Sequence, residues 1–230
     1  MPDDFMRRRR VPLRLVIFDC DGVLVDSEPV ANRVVAEELT MLGWSMTAHE
    51  ADRHFLGLTF TDMQPIIEQR LGRFLTSDWK QALVQKVIDA MAEGVGPIAG
   101  AVEALHATSA LGLPWRIASN SSHEEMHVKF GRLGIRDLVA GRVHSHRDVA
   151  RGKPAPDLFL AAAAAQGVPP EECVVIEDSV PGATAAAAAG MPCLGYAPHH
   201  DGSRLQAVGA MPFRSMFDLP AYLAAGKGAV

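Results

Sequence analysis

The sequence predicts an α/β fold: a doubly wound parallel sheet with a Rossmann-like core, carrying a second, smaller α-helical unit inserted after its first strand. Short apolar runs bounded by turn or polar residues alternate with stretches of helical length. One long segment then breaks that alternation with helical pattern alone. The 230 residues, 48% of them hydrophobic, are enough to bury a sizeable core.

The first strand is "LRLVIF", ending at Phe18, and the others are "WRIAS" ending at Ser119, "CVVIE" ending at Glu177 and "MPCLGY" ending at Tyr196. Their apolar, β-branched character marks strands buried on both faces. From Pro29 to Glu93 the pattern is helical only, including "ANRVVAEELTML" and "WKQALVQKVIDAMAEG". Ser27 is placed to cap the first of these helices, with Pro29 in its opening turn. The stretch "GVGPIAG", Gly94 to Gly100, reads as a hinge returning the chain to the alternating pattern. Helices are expected at Val102–Leu111, His123–Leu133, Pro156–Gln166 and Pro181–Ala189, with Gly190 as the C-cap of the last. The alanine tracts Ala161–Ala165 and Ala185–Ala189 suit helices packed closely on a sheet. Residues 1–28 and 94–230 thus form the expected α/β core, and 29–93 the inserted helical unit.

A net charge of −5 argues against a nucleic-acid surface spread over the molecule, and no apolar run is long enough to span a membrane. The basic cluster Arg7–Arg10 reads as a solvated, mobile tail, and the apolar run after it lacks a small-residue cleavage site. Three cysteines, Cys20, Cys173 and Cys193, are an odd number without metal-like spacing, which suits a reducing compartment. The expectation is a cytoplasmic protein, monomeric by default, whose partner is a small molecule.

In a doubly wound sheet, ligands bind beyond the carboxyl ends of the strands, so the residues just after each apolar run should share one crevice. Asp19 and Asp21 follow the first strand, Ser119 and Asn120 a second, and Glu177 and Asp178 close "CVVIE"; Lys153 lies in the loop "RGKPAPD". Four converging carboxylates raise each other's pKa unless a cation sits among them, and a hard divalent ion such as Mg²⁺ fits oxygen ligands. The combination suits phosphoryl transfer. A carboxylate attacks phosphorus, cations neutralise the phosphoryl oxygens, and a second carboxylate moves the proton.

Four segments, "DCDGVLVDSE", "IASNSS", "GKPAPDLF" and "VVIEDSVPGATAAAAAGM", resemble in order the four motifs of the haloacid dehalogenase superfamily. The resemblance implies that Asp19 is the nucleophile, Asp21 the general acid/base, Ser119 a phosphate ligand and Lys153 the charge-neutralising lysine. It implies Mg²⁺ held by Asp19, the backbone carbonyl of Asp21 and Asp178, with Glu177 in direct or water-mediated support. It also makes 29–93 a cap that closes over the site, with Gly57, Thr59 and Thr61 facing the substrate. Dehalogenating members lack the second aspartate, so Asp21 favours phosphate chemistry. The β-phosphoglucomutase branch is similar, but its cap histidine and arginine correspond here to Ala31 and Phe60. The reading is therefore a phosphatase of a sugar phosphate or sugar-acid phosphate, 6-phosphogluconate among them, because "ASNSSHEEM" is similar to that of sugar-acid phosphatases. A sugar phosphomutase is the alternative, and a non-catalytic phosphoacceptor or metabolite-binding module stands behind it.

Blander readings compete at each position. Asp19 and Asp21 sit beside a DG turn, Ser119 and Asn120 are good N-caps, and Lys153 resembles an ordinary surface lysine. Four motifs in order outweigh them. "HEEMH", His123 to His127, matches the zinc-protease pattern H-E-x-x-H, yet the helix begins at His123 and a further ligand is missing, so these read as solvent-facing residues. His144, His146, His199 and His200 suggest no metal site, and Cys20 lacks a base beside it.

Overall fold

The computed structural model describes residues 2–55 and 58–227. The chain begins with α1 (Pro2–Arg7), then β1 (Leu15–Phe18) and β2 (Val25–Asp26). Four helices follow, α2 (Glu28–Met41), α3 (Ala48–Phe55), α4 (Phe60–Leu71) and α5 (Ser77–Gly94), before β3 (Gly96–Pro97). The rest alternates: α6 (Ala101–Ala110), β4 (Trp115–Ser119), α7 (His123–Arg132), α8 (Arg136–Val139), β5 (Val143–Ser145), α9 (Asp157–Gln166), β6 (Cys173–Glu177), α10 (Val180–Ala188), β7 (Cys193–Tyr196), α11 (Ser203–Ala207), β8 (Met211–Phe213) and α12 (Leu219–Gly226).

Six strands form a sheet in the order β5-β4-β1-β6-β7-β8, every neighbouring pair parallel. The chain builds outward from β1 through β4 to β5, then crosses to the other side of β1 for β6. That reversal puts the topological switch point at β1. Side chains of β1 alternate between two cores: Val16 and Phe18 join one, Leu15 and Ile17 the other. β6 repeats the alternation, with Val174 and Ile176 on the first face and Cys173 and Val175 on the second. Phe18 meets Trp115 edge-on, ring centroids 6.3 Å apart. The alanine tracts lie against the second face: Ala162 and Ala163 of α9 and Ala183, Ala185 and Ala186 of α10 are buried there, their small side chains letting the helices approach the sheet.

The helical segment is bracketed by β2 and β3, which pair antiparallel and tie its two ends together. Within it, Glu38 of α2 is buried, accepting from Trp79 Nε1 (2.9 Å) and Lys86 Nζ (2.6 Å) of α5.

Three features differ from the sequence reading. The Arg7–Arg10 stretch is no mobile tail. Pro2–Arg7 forms α1, whose Met6 is fully buried near Gly226 of α12, and Arg9 donates to the carbonyls of Glu171 (2.8 Å) and Cys173 (3.2 Å). Three apolar side chains, Pro2, Phe5 and Met6, flanked by charges in so short a helix carry too weak a period to be seen. The sheet also gains β5 and β8 at its edges, each of three residues, too short to stand out as apolar runs. Finally, Ser27 makes no side-chain capping bond to α2, because its hydroxyl is engaged elsewhere. Among the described residues, no helix is long and apolar enough to cross a membrane.

Candidate active site

Parallel register fixes where the functional residues meet. Phe18 of β1 is level with Ile117 of β4 and Ile176 of β6, so Asp19, Ser119 and Glu177 lie around the carboxyl ends of three adjacent strands. Lys153 enters from the loop between β5 and α9, and Asp178 continues from β6.

Lys153 lies at the centre. Its Nζ sits 2.7 Å from Asp19 Oδ1, donates to Glu177 Oε1 at 2.7 Å, and lies 4.8 Å from the centroid of the Phe159 ring. Burial pulls the Lys153 pKa down, but Asp19 and Glu177 outweigh it, and the pKa ends raised. Glu177 is fully enclosed, its Oε2 accepting from the Asp178 and Ser179 amides (2.9 and 2.8 Å) and the Ser179 hydroxyl (2.9 Å). Two glycines make room for these carboxylates. A Cβ on Gly182 would overlap Glu177, and one on Gly22, whose φ is +73°, would overlap Asp178.

Asp19 and Asp178 show the electrostatic strain of the cluster. Burial, with Glu177 and Asp21 adding repulsion, lifts Asp19 to about 8 despite Lys153. Burial likewise pushes Asp178 well above the usual carboxylate range, helped by Glu177 and Asp19. Asp21, two residues from Asp19, goes the other way. Burial acts to raise it, but Lys129 and the hydroxyls of Ser27 and Ser121 leave it lowered. Ser27 Oγ donates to Oδ1 (2.6 Å), Ser121 Oγ to Oδ2 (2.7 Å), and Lys129 Nζ to both (2.7 and 2.9 Å).

Lys129, Ser121 and the role of Ser27 were missed in the sequence. Lys129 follows the "IASNSS" segment by several residues and looks like one more charge on a helix. Only its position beside Met126 and Phe130 on the buried face of α7 distinguishes it.

The remaining candidates are disposed as follows. Ser119 is buried at the tip of β4, its Oγ accepting from the Ser121 amide (3.0 Å). Asn120 brackets the backbone of Lys153, its Nδ2 donating to the carbonyl (3.1 Å) and its Oδ1 accepting from the amide (2.9 Å). Its side chain thus positions the lysine loop. Thr59 caps α4, its hydroxyl exchanging bonds with Asp62, and Thr61 is exposed on the same helix; Gly57 lies outside the described residues. His123 pairs with Asp148 (2.8 Å) while His127 is exposed, and among the described residues neither joins a group of three potential metal ligands. Cys20 is buried with its thiol pKa pushed up, first by burial, which leaves it unreactive.

The residues fit a hard divalent cation. Asp19, Glu177 and Asp178 offer oxygens within 4.8 Å of one another. Asp19 Oδ1 is buried, and its partner is the Lys153 ammonium 2.7 Å away. When ionised, Asp19, Asp21, Glu177 and Asp178 pair, among the described residues, only with Lys129 and Lys153, so two negative charges are left without an ion-pair partner, and oxygen donors suit Mg²⁺. Since both Glu177 oxygens already hold protein donors, Asp19 and Asp178 are the freer ligands.

Comparison with known proteins agrees with this geometry. Residues 13–190 match the family model of haloacid dehalogenase-like hydrolases. The chain is 30% identical over 183 residues to 6-phosphogluconate phosphatase of Escherichia coli K12, covering 78% of this chain and 80% of that protein. It is 29% identical to hexitol phosphatase A of the same organism, covering 76% and 78%. A HAD family hydrolase from Deinococcus radiodurans R1, crystallised with phosphate and sodium, superposes with a TM-score of 0.80 at 36% identity, covering 94% of this chain and 97% of that one.

Proposed function

The chain belongs to the haloacid dehalogenase-like hydrolases, and from that premise we propose that it is a Mg²⁺-dependent phosphomonoesterase of small sugar phosphates or sugar-acid phosphates, acting in the cytoplasm. The observation that carries the reading is the buried Asp19 carboxylate, its Oδ1 held 2.7 Å from the Lys153 ammonium beside Glu177 and Asp178, at the switch point of the sheet. It is a carboxylate enclosed, and oriented by a cation that can also meet phosphoryl oxygens.

In this mechanism Asp19 attacks phosphorus, the bond from phosphorus to the leaving oxygen breaks, and an acyl-phosphate forms on Asp19. Lys153 neutralises charge on the transferring group, and the Ser119 hydroxyl holds it at the tip of β4. Asp21 gives a proton to the leaving oxygen, then takes one from the water that cleaves the acyl-phosphate. Asp19, Asp178 and the Asp21 carbonyl, with Glu177 in support, would hold Mg²⁺, which would add to the neutralisation of the phosphoryl oxygens. Helices α2–α5 are the cap, which encloses the substrate and excludes bulk water, with Gly57, Thr59 and Thr61 at its specificity loop. The two E. coli relatives are by name a 6-phosphogluconate phosphatase and a hexitol phosphatase, which supports the substrate class. The mutase alternative finds the apolar Ala31 and Phe60 where it needs polar groups.

The test is release of inorganic phosphate from sugar phosphates, sugar-acid phosphates and nucleotides, with Mg²⁺, with chelator, and by Asp19→Asn. One substrate class should stand out, and the signal should vanish in both controls. Substantial turnover by a contaminant-free Asp19→Asn protein refutes the mechanism. Isomerisation of a sugar phosphate without phosphate release turns the reading to the mutase.

A further inference from the structure

Lys129 has no part in the mechanism above, yet it is among the most enclosed charges of the molecule, 2% exposed on α7. Its Nζ reaches Asp21 Oδ1 (2.7 Å), Asp21 Oδ2 (2.9 Å) and Ser121 Oγ (2.8 Å). We propose that Lys129 is a positioning residue of the active site, fixing the plane of the Asp21 carboxylate so that it meets the leaving oxygen. The proposal rests on Asp21 being the acid/base of the reaction.

Two arguments carry it. The first concerns what the fold needs. A buried ion pair is often no more stabilising than an apolar pair of the same volume, so packing of α7 beside Met126 and Phe130 does not call for an ammonium. The second concerns the donors. Ionised Asp21 offers about four lone-pair directions, and Ser27, Ser121 and the two contacts of Lys129 fill them. A hydroxyl reverses between donor and acceptor as Asp21 gains or loses its proton, whereas an ammonium only donates. Lys129 is therefore the fixed element, and the serines are the ones that adapt. Ser121 is itself held, because its carbonyl accepts from the Ser145 hydroxyl at 2.7 Å. The proton leaves Asp21 for the departing oxygen and is replaced from water in the second step, while Lys129 stays charged throughout.

The test separates orientation from packing by leaving group. An aryl phosphate with p-nitrophenolate as leaving group departs without a proton; an alkyl phosphate such as glycerol phosphate needs one. Single-turnover alcohol release, with Mg²⁺ and enzyme in excess, reads the first step alone. Lys129→Met should slow the alkyl ester on the order of 10²-fold, the scale of acid catalysis, and the aryl ester less than about 3-fold, with little change in the enzyme concentration giving half-maximal rate. Equal loss on both esters, or no loss on either, overturns the proposal. Asp21→Asn runs beside it. If that variant shows the split and Lys129→Met does not, Lys129 alone loses its role; if neither shows it, the acid role of Asp21 falls as well. Should Lys129→Met fail to fold, Ser121→Ala removes one donor of the same clamp and should give a smaller split in the same direction, whose absence counts equally against the idea.

Discussion

Replacing Asp19 should make the metal-free protein more stable. Asp19 is 7% exposed, and its pKa stands at about 8 in the folded chain against 3.8 for a free carboxyl. Between those values the folded protein holds a proton that the unfolded chain has released. Stability therefore falls as pH rises through this window, by about 1.4 kcal/mol per unit, and the full penalty is present above pH 8. The ceiling is on the order of 5 kcal/mol. The pull of Lys153 is already contained in that pKa; the amide that replaces the carboxyl in Asp19→Asn is still buried, and its unmet hydrogen bonds take back about 1–3 kcal/mol, which leaves about 2–4 kcal/mol. For a chain of this size that corresponds to a Tm higher by about 5–10 °C. The assay is thermal unfolding of wild type and Asp19→Asn in chelator at pH 8 and at pH 5. The gap should be wide at pH 8 and narrow at pH 5. A variant that melts at or below wild type at pH 8 refutes the argument, because it would mean that the ionised carboxylate is a net stabiliser where it sits.

Two further outcomes follow from packing. Gly182→Ala places a methyl group where the Glu177 carboxylate lies, so Glu177 must shift and release Lys153; phosphate release should fall at least about 10-fold while far-UV circular dichroism stays native. Met6→Ala empties a fully buried position between α1 and α12, at a cost of about 2–5 kcal/mol in urea unfolding, with kcat per folded molecule unchanged.

How far the sequence could be read depended on whether the signal was local. β1, β4, β6 and β7 were visible because strands buried on both faces concentrate apolar residues in a few consecutive positions. The helical segment was visible because it interrupts that rhythm. Edge strands β5 and β8 carry half-buried residues and a proline, and α1 is held chiefly by Met6 meeting α12 at the far end of the chain. Long-range contact of that kind leaves no local trace. The same division runs through the site. Asp19, Ser119, Lys153, Glu177 and Asp178 follow strand ends or sit in a marked loop, so strand prediction alone groups them. Lys129 enters from the middle of a helix, and Ser27 follows the rule for a cap while serving Asp21.

Asp19 and Asp21 stand one residue apart at the end of β1, and their surroundings divide them. Asp19 turns into a crevice shared with Glu177 and Asp178, where burial and repulsion favour its protonated form. Asp21 turns toward α7, where Lys129 and two hydroxyls favour its ionised form. Phosphoryl transfer needs the opposite assignment: an ionised nucleophile and a protonated acid. Both corrections have the same source. A divalent cation at Asp19 and Asp178 favours the Asp19 carboxylate, and a phosphoryl dianion brought near Asp21 favours its acid form. Under the proposed function the bare site is therefore set for neither step, and the charges it lacks are those of the cation and the substrate. On that reading the strand ends in two carboxylates because each is held by the fold in the state that cation and substrate together would reverse.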